Sequence, residues 1–169
     1  MNVLVAYASK HGSTAEIAAA VASGLRESGV HAQALEVGEV SSLEDYDAVV
    51  LGSAVYMKRW RGEARRFLHA HRSELAERPF WIFSSGPVGA PDGEPDADWV
   101  EPPKVVAQAE ELGVRGHVVF GGRVPEHGGG FAARAMAKGI PQEFQDRRDW
   151  DEIERWARSV ADELRPAAG

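Results

Sequence analysis

Ser9-Lys10-His11-Gly12-Ser13-Thr14 brings three hydroxyls, a glycine and a run of backbone N–H groups to the start of a predicted helix. A helix N-terminus attracts an anion through its unpaired N–H groups and its dipole, and neutral hydroxyl donors suit a phosphate dianion. Two familiar nucleotide signatures are missing. There is no Gly-Lys-Ser/Thr to cradle a triphosphate and no G-x-G-x-x-G for a dinucleotide. A second segment, Gly52-Ser53-Ala54-Val55-Tyr56-Met57-Lys58-Arg59-Trp60, follows an apolar run. Its glycine would let a flat ligand approach the backbone, and Tyr56 and Trp60 offer faces for stacking on a planar ring. A third, Ser84-Ser85-Gly86-Pro87-Val88-Gly89, is small enough for its backbone to hydrogen-bond a ring edge. Each has a plainer reading as well: a capped helix, a tryptophan packed under the next helix, and a turn.

These segments need a scaffold, and the patterning supplies one. Val3–Tyr7, Asp47–Gly52, Phe80–Phe83 and His117–Phe120 are short, largely apolar runs, as expected for strands covered on both faces; His31–Val37 alternates weakly and reads as an outer strand. Between them, Ile17, Val21 and Leu25 recur at four-residue spacing, Ala64, Phe67, Leu68 and Leu75 mark a second helix, and Val105, Val106, Ala109 and Leu112 a third. Ile153, Trp156, Ala157, Val160 and Leu164 line the last helix, with Asp149 and Glu152 placed to cap it and Pro166 to stop it. Ser13 and Glu16 have capping-box spacing for the first helix. Five strands alternating with helices predict an α/β fold with a parallel sheet between two helical layers. Ligands of such sheets sit beyond the carboxyl ends of the strands, where the strand order reverses, and the three chemistry-bearing segments follow the first, third and fourth strands.

Composition narrows the functional classes. The 169 residues contain 26 acidic and 19 basic side chains, a net charge of −7, which disfavours a general nucleic-acid partner. There is no cysteine, so disulfides, cysteine-ligated clusters and thiol nucleophiles are excluded, and redox work would fall to a bound organic cofactor. The N-terminal apolar run is too short for a signal-peptide core, and no segment reaches the roughly 20 apolar residues of a membrane helix. A soluble, cytoplasmic chain is expected. The charge is unevenly spread. Five acidic residues crowd into Val88–Pro103, whereas Lys58, Arg59, Arg61, Arg65 and Arg66 against Glu63 give +4 beside the second segment. His69 and His71, at i and i+2, do not share a helix face, so no metal site is expected from them. No residue stands out as a catalytic acid, base or nucleophile. Residues 1–169 read as one domain, with a probable insertion at 121–148 holding Gly128-Gly129-Gly130, His127 and a short helix candidate, Phe131 to Lys138.

On these residues the chain resembles the flavodoxin-fold FMN proteins. Ser9, Gly12 and Thr14 match that family's phosphate loop, and Gly52-Ser53 with Tyr56 matches its flavin loop; His11 stands where the family often has another hydroxyl residue. Tyr46–Tyr56, the insertion after the fifth strand and the closing stretch Asp149–Ala157 are similar to the menaquinone-dependent protoporphyrinogen IX dehydrogenase group. The resemblance implies a flavodoxin-like three-layer sandwich with a five-stranded parallel sheet in the order 2-1-3-4-5. It implies an FMN-dependent oxidoreductase, acting on protoporphyrinogen IX or a similar planar anionic substrate with a quinone or other acceptor. The alternative is an electron-transfer protein with no small-molecule substrate of its own. Ser9, Lys10, His11, Gly12, Ser13 and Thr14 would hold the phosphate. Ser53, Ala54, Val55 and Tyr56, together with Ser84, Ser85, Gly86, Pro87, Val88 and Gly89, would flank the ring. Lys58, Arg59, Trp60 and Arg61 would meet the substrate. The same loops would also accept a deazaflavin. The partner would be a small molecule or a redox protein, with no integral membrane segment but room for peripheral association; the oligomeric state is left open.

Overall fold

The computed structural model describes residues 1–86, 102–124, 131, 135 and 138–165. In chain order the elements are β1 (Asn2–Ala8), α1 (Ser13–Glu27), β2 (His31–Glu36), β3 (Ala48–Tyr56), β4 (Arg59–Trp60) and α2 (Gly62–Ala70). They continue with α3 (Arg72–Ala76), β5 (Phe80–Ser85), α4 (Pro103–Glu111), β6 (His117–Phe120) and α5 (Trp150–Leu164). Five strands run parallel in the order β2-β1-β3-β5-β6, the doubly wound order that the resemblance implied. The two-residue β4 is an addition, antiparallel to β3.

Side chains alternate across this sheet and divide the core in two. Val3 and Val5 of β1, Val50 of β3 and Trp81 and Phe83 of β5 pack with Ile17, Val21 and Leu25 of α1 and Ile153, Ala157 and Val160 of α5. Leu4, Ala6, Leu51, Phe80 and Ile82 face the other way, onto Ala64, Phe67 and Leu68 of α2, Leu75 of α3 and Val105 and Ala109 of α4. Trp156 of α5 closes the first layer edge-on, its ring centroid 5.6 Å from Phe120 and 6.3 Å from Phe83.

Four local expectations change. Ser13 and Glu16 form no capping box: Gly12 is the N-cap, with φ 87°, and no side chain caps α1. The backbone turns into the helix through a left-handed glycine, which makes Ser13 the first helical residue. The second helix is two, α2 and α3, broken at His71, whose Nδ1 lies 2.6 Å from a Glu74 carboxylate oxygen. The segment from Ser53 to Tyr56, read as loop, is the end of β3: Ser53 pairs with β1 and β5, Ala54 with β5, and Val55 and Tyr56 with β4. Pro103, read as the end of a loop, opens α4, where a missing N–H costs nothing. By contrast, Asp149 caps α5 as expected, accepting from the Glu152 N–H at 3.0 Å. Phe131, Ala135 and Lys138 of the short helix candidate are helical. The acidic stretch from 88 to 101, His127, Gly128-Gly129-Gly130 and Pro166 lie outside the described residues.

Candidate functional site

The register sets the site. Ala8 of β1 is level with Ser53 of β3, and Ser53 with Ser84 of β5, so the three chemistry-bearing segments leave the sheet at one height. The strand order reverses between β1 and β3, and the crevice for a ligand opens beyond their carboxyl ends.

On the β1 side, the Ser9 hydroxyl accepts a hydrogen bond from the Gly12 N–H at 3.0 Å and folds the loop back toward the start of α1. Thr14 is buried, and the buried Ser13 Oγ has no hydrogen-bond partner among the described residues. A buried hydroxyl without a partner is costly, and a cluster of hydroxyls and free N–H groups at a helix start is a donor set for an anion. The loop is also positively biased. Lys10 is exposed, and His11 is held below the usual histidine range, first by burial and then by the charges of Lys10 and Arg61.

On the β3 side, several expected contacts turn inward. The Ser53 side chain is fully buried, donating to the Ala54 carbonyl at 2.9 Å and accepting from the Arg61 N–H at 3.0 Å. Ala54 is buried too. The space beside Gly52 belongs to the Phe83 ring, which a Cβ there would overlap, so this glycine serves core packing and not a ligand. Trp60, expected as a stacking face, is 2% exposed; its indole N–H donates to Ser84 Oγ at 2.8 Å. The plainer reading holds for it: β4 folds back on β3 and delivers the indole into the core above α2, where its polar end finds a partner. Ser84 is satisfied a second time by His117 Nε2 at 3.0 Å, and Ser85 is buried beside it. Gly86 follows the end of β5, donating its N–H to the Phe120 carbonyl of β6 at 3.0 Å. Pro87, Val88 and Gly89 lie outside the described residues.

What remains at the rim is Val55, Tyr56 and the tip of the β3–β4 hairpin. Tyr56 is 46% exposed, and burial of the rest raises its phenol pKa against the opposing pull of Arg61. Met57 and Lys58 form the two-residue turn, both with positive φ (49° and 63°), and Met57 is 85% exposed. Lys58, Arg59, Arg65 and Arg66 are exposed, as the +4 reading anticipated, but Arg61 is partly spent on Glu63 at 2.9 Å. The charge of Arg61 acts on both His11 and Tyr56.

Sequence reasoning missed a cluster next to this site. Glu16, in the first turn of α1, pairs with Arg123 at 3.2 Å and with Arg148. No spacing signal could have joined residues 107 and 132 positions apart.

The chain was compared with known proteins. The flavodoxin domain family matches residues 4–151. Protoporphyrinogen IX dehydrogenase [quinone] of Escherichia coli K12 is 29% identical over 86 residues, 50% of this chain and 48% of that protein. The match thus spans about half the length of the curated relatives. Flavodoxin 1 from Bacillus cereus superposes with a TM-score of 0.65 at 15% identity, over 98% of this chain and 100% of its own. A flavodoxin from the domain Archaea gives 0.62 at 16% identity, over 96% and 98%. At these identities the two structures speak for the fold.

Proposed function

The chain belongs to the flavodoxin domain family, whose cofactor is FMN, and from that premise we propose an FMN-dependent oxidoreductase acting on a planar anionic substrate. The observation that carries this reading is the buried, unpartnered Ser13 hydroxyl beside buried Thr14 at the start of α1. That donor set fits the terminal phosphate of FMN. Ser9 shapes the loop, Ser13, Thr14 and the first N–H groups of α1 bind the phosphate, and Lys10 and His11 border it. Tyr56 would stack on the ring, while the buried Ser53, Ala54, Ser84 and Ser85 would support the loops that hold it. Bound FMN supplies one- and two-electron redox chemistry at its ring.

The exposed guanidinium of Arg59 and the ammonium of Lys58 give the rim a charge suited to carboxylates, such as the propionates of a porphyrinogen. Arg61 is held by Glu63 and orients the rim instead of reaching outward. Protoporphyrinogen IX, with a quinone as acceptor, is the substrate pair suggested by the half-length relative. We read residues 1–169 as one domain with an insertion at 121–148, able to associate peripherally with a membrane; no described helix is long and apolar enough to cross one.

A second reading has its own support. The flavodoxin domain match spans residues 4–151, whereas the enzyme matches half of the chain. An electron carrier serving protein partners is therefore the competing function. The purified protein should be yellow or take up added FMN with flavin absorption bands; a colourless protein that ignores FMN sinks both readings. Steady-state turnover with porphyrinogen and quinone supports the enzyme. Reduction by a flavoprotein reductase without such turnover supports the carrier.

A further inference from the structure

Glu16 presents a problem for any anion at the start of α1. It lies three residues beyond Ser13 in the first turn, about 4.5 Å along the axis at 1.5 Å per residue, and helical side chains lean toward the N-terminus. Its carboxylate therefore opposes the positive end of the helix that a phosphate would use. Two guanidiniums meet it. Arg123 leaves the strand end after β6 and reaches Glu16 at 3.2 Å, and Arg148, from just before α5, reaches its other oxygen. Arg148 is not a loose surface cation. Its side chain is 4% exposed, it bonds both oxygens of Asp146 at 2.9 and 2.6 Å, and its guanidinium lies 4.7 Å from the Trp150 ring centroid. Asp146 and Glu16 together hold the Arg148 guanidinium firmly charged. The backbone fixes both arginines as well. The Val124 N–H donates to Gln145 O at 2.7 Å, the Arg147 N–H to Gly122 O at 3.0 Å, and Arg123 bridges Asp146 in an antiparallel pair.

We propose that Arg123 and Arg148, at the two roots of the inserted stretch, are positioning residues that neutralise Glu16 and thereby make the start of α1 selective for a phosphorylated flavin. The inference rests on the reading that the FMN phosphate sits at that helix start. It ties the inserted stretch to cofactor affinity through Glu16.

The test is binding of FMN and of riboflavin, which lacks the phosphate, to the full-length protein, followed by flavin fluorescence at low salt. Losing one of its two guanidiniums leaves Glu16 only partly neutralised, and a carboxylate about 10 Å from a phosphate dianion, at a protein–water boundary, is then expected to weaken binding severalfold. Arg148→Met should show that loss for FMN and none for riboflavin. Adding Glu16→Gln to Arg148→Met should restore FMN affinity to within about twofold, and Arg148→Lys should retain it; raised ionic strength should shrink the loss. Arg123→Gln spares the buried Arg148 pair, so it gives a smaller FMN-selective loss even if Arg148→Met fails to fold. Equal losses for both flavins, or no rescue by Glu16→Gln, would overturn the proposal and leave the arginines a purely structural clasp. If the wild type binds riboflavin and FMN equally, the phosphate assignment falls, and this inference with it. If it binds neither, the cofactor reading itself falls.

Discussion

Ser13 sets the terms at the residue scale. Its buried hydroxyl has no partner among the described residues, so in the flavin-free protein it is a cost to folding. Removing it should separate stability from function. Ser13→Ala is expected to leave the flavin-free protein as stable as the wild type, or more stable by up to about 1 kcal/mol, while weakening FMN severalfold. Chemical denaturation without flavin and fluorescence titration with it would check the two halves. Loss of stability without loss of affinity would mark Ser13 as a structural residue. Ser53 and Ser84 show the contrast: both hydroxyls are buried and both are satisfied inside the protein, so residue type alone did not reveal which hydroxyl the fold leaves without a partner among the described residues.

The β3–β4 hairpin is the informative element. A two-residue turn with both φ values positive is the type I′ turn, which favours Asn-Gly, yet here it is Met57-Lys58. Left-handed backbone costs an ordinary residue about 1 kcal/mol. The double substitution Met57→Asn with Lys58→Gly should therefore raise the denaturation midpoint by the equivalent of about 1–2 kcal/mol. Unchanged stability would show that the hairpin is held from outside the turn. The sequence placed aromatic residues here but not the hairpin itself, since Met-Lys carries no turn signal. Trp60 then lands in the core because β4 reverses the chain beside β3, a consequence of pairing that no local pattern announces.

At the scale of the whole molecule, charge is arranged by the fold. The acidic and basic stretches visible in the sequence describe an average surface, but the cluster of Glu16, Arg123, Asp146 and Arg148 gathers charges from three distant parts of the chain. Asp146 is held below the ordinary carboxylate range, chiefly by its hydrogen bonds to Arg148. A carboxylate so depressed adds stability that is fully present above its unfolded pKa, about 3.9. That contribution is lost as pH falls through the lower folded value. The amides of Val124 and Arg147 should thus stay protected from hydrogen exchange at neutral pH and lose protection below about pH 4, ahead of the β1 and β3 amides. In Asp146→Asn, the early loss should already be present at neutral pH. Simultaneous loss across the sheet and the roots would show that the cluster has no separate opening.

The residues alone carried the alternation of strands and helices and the loop at the start of α1, because these rest on local periodicity and short-range chemistry; the doubly wound order came only with the resemblance to the flavodoxin-fold proteins. Ile17, Val21 and Leu25 must share a helix face, and Val3 to Tyr7 must be covered on both sides, whatever lies around them. Only the tertiary structure decided that Ala8, Ser53 and Ser84 stand level, that Gly52 makes room for Phe83, and that Glu16 meets Arg123 and Arg148. Those outcomes depend on register and on contacts between residues far apart in the chain. Such pairings are set by the packing of the whole sheet and its two helical layers, which no window of sequence contains.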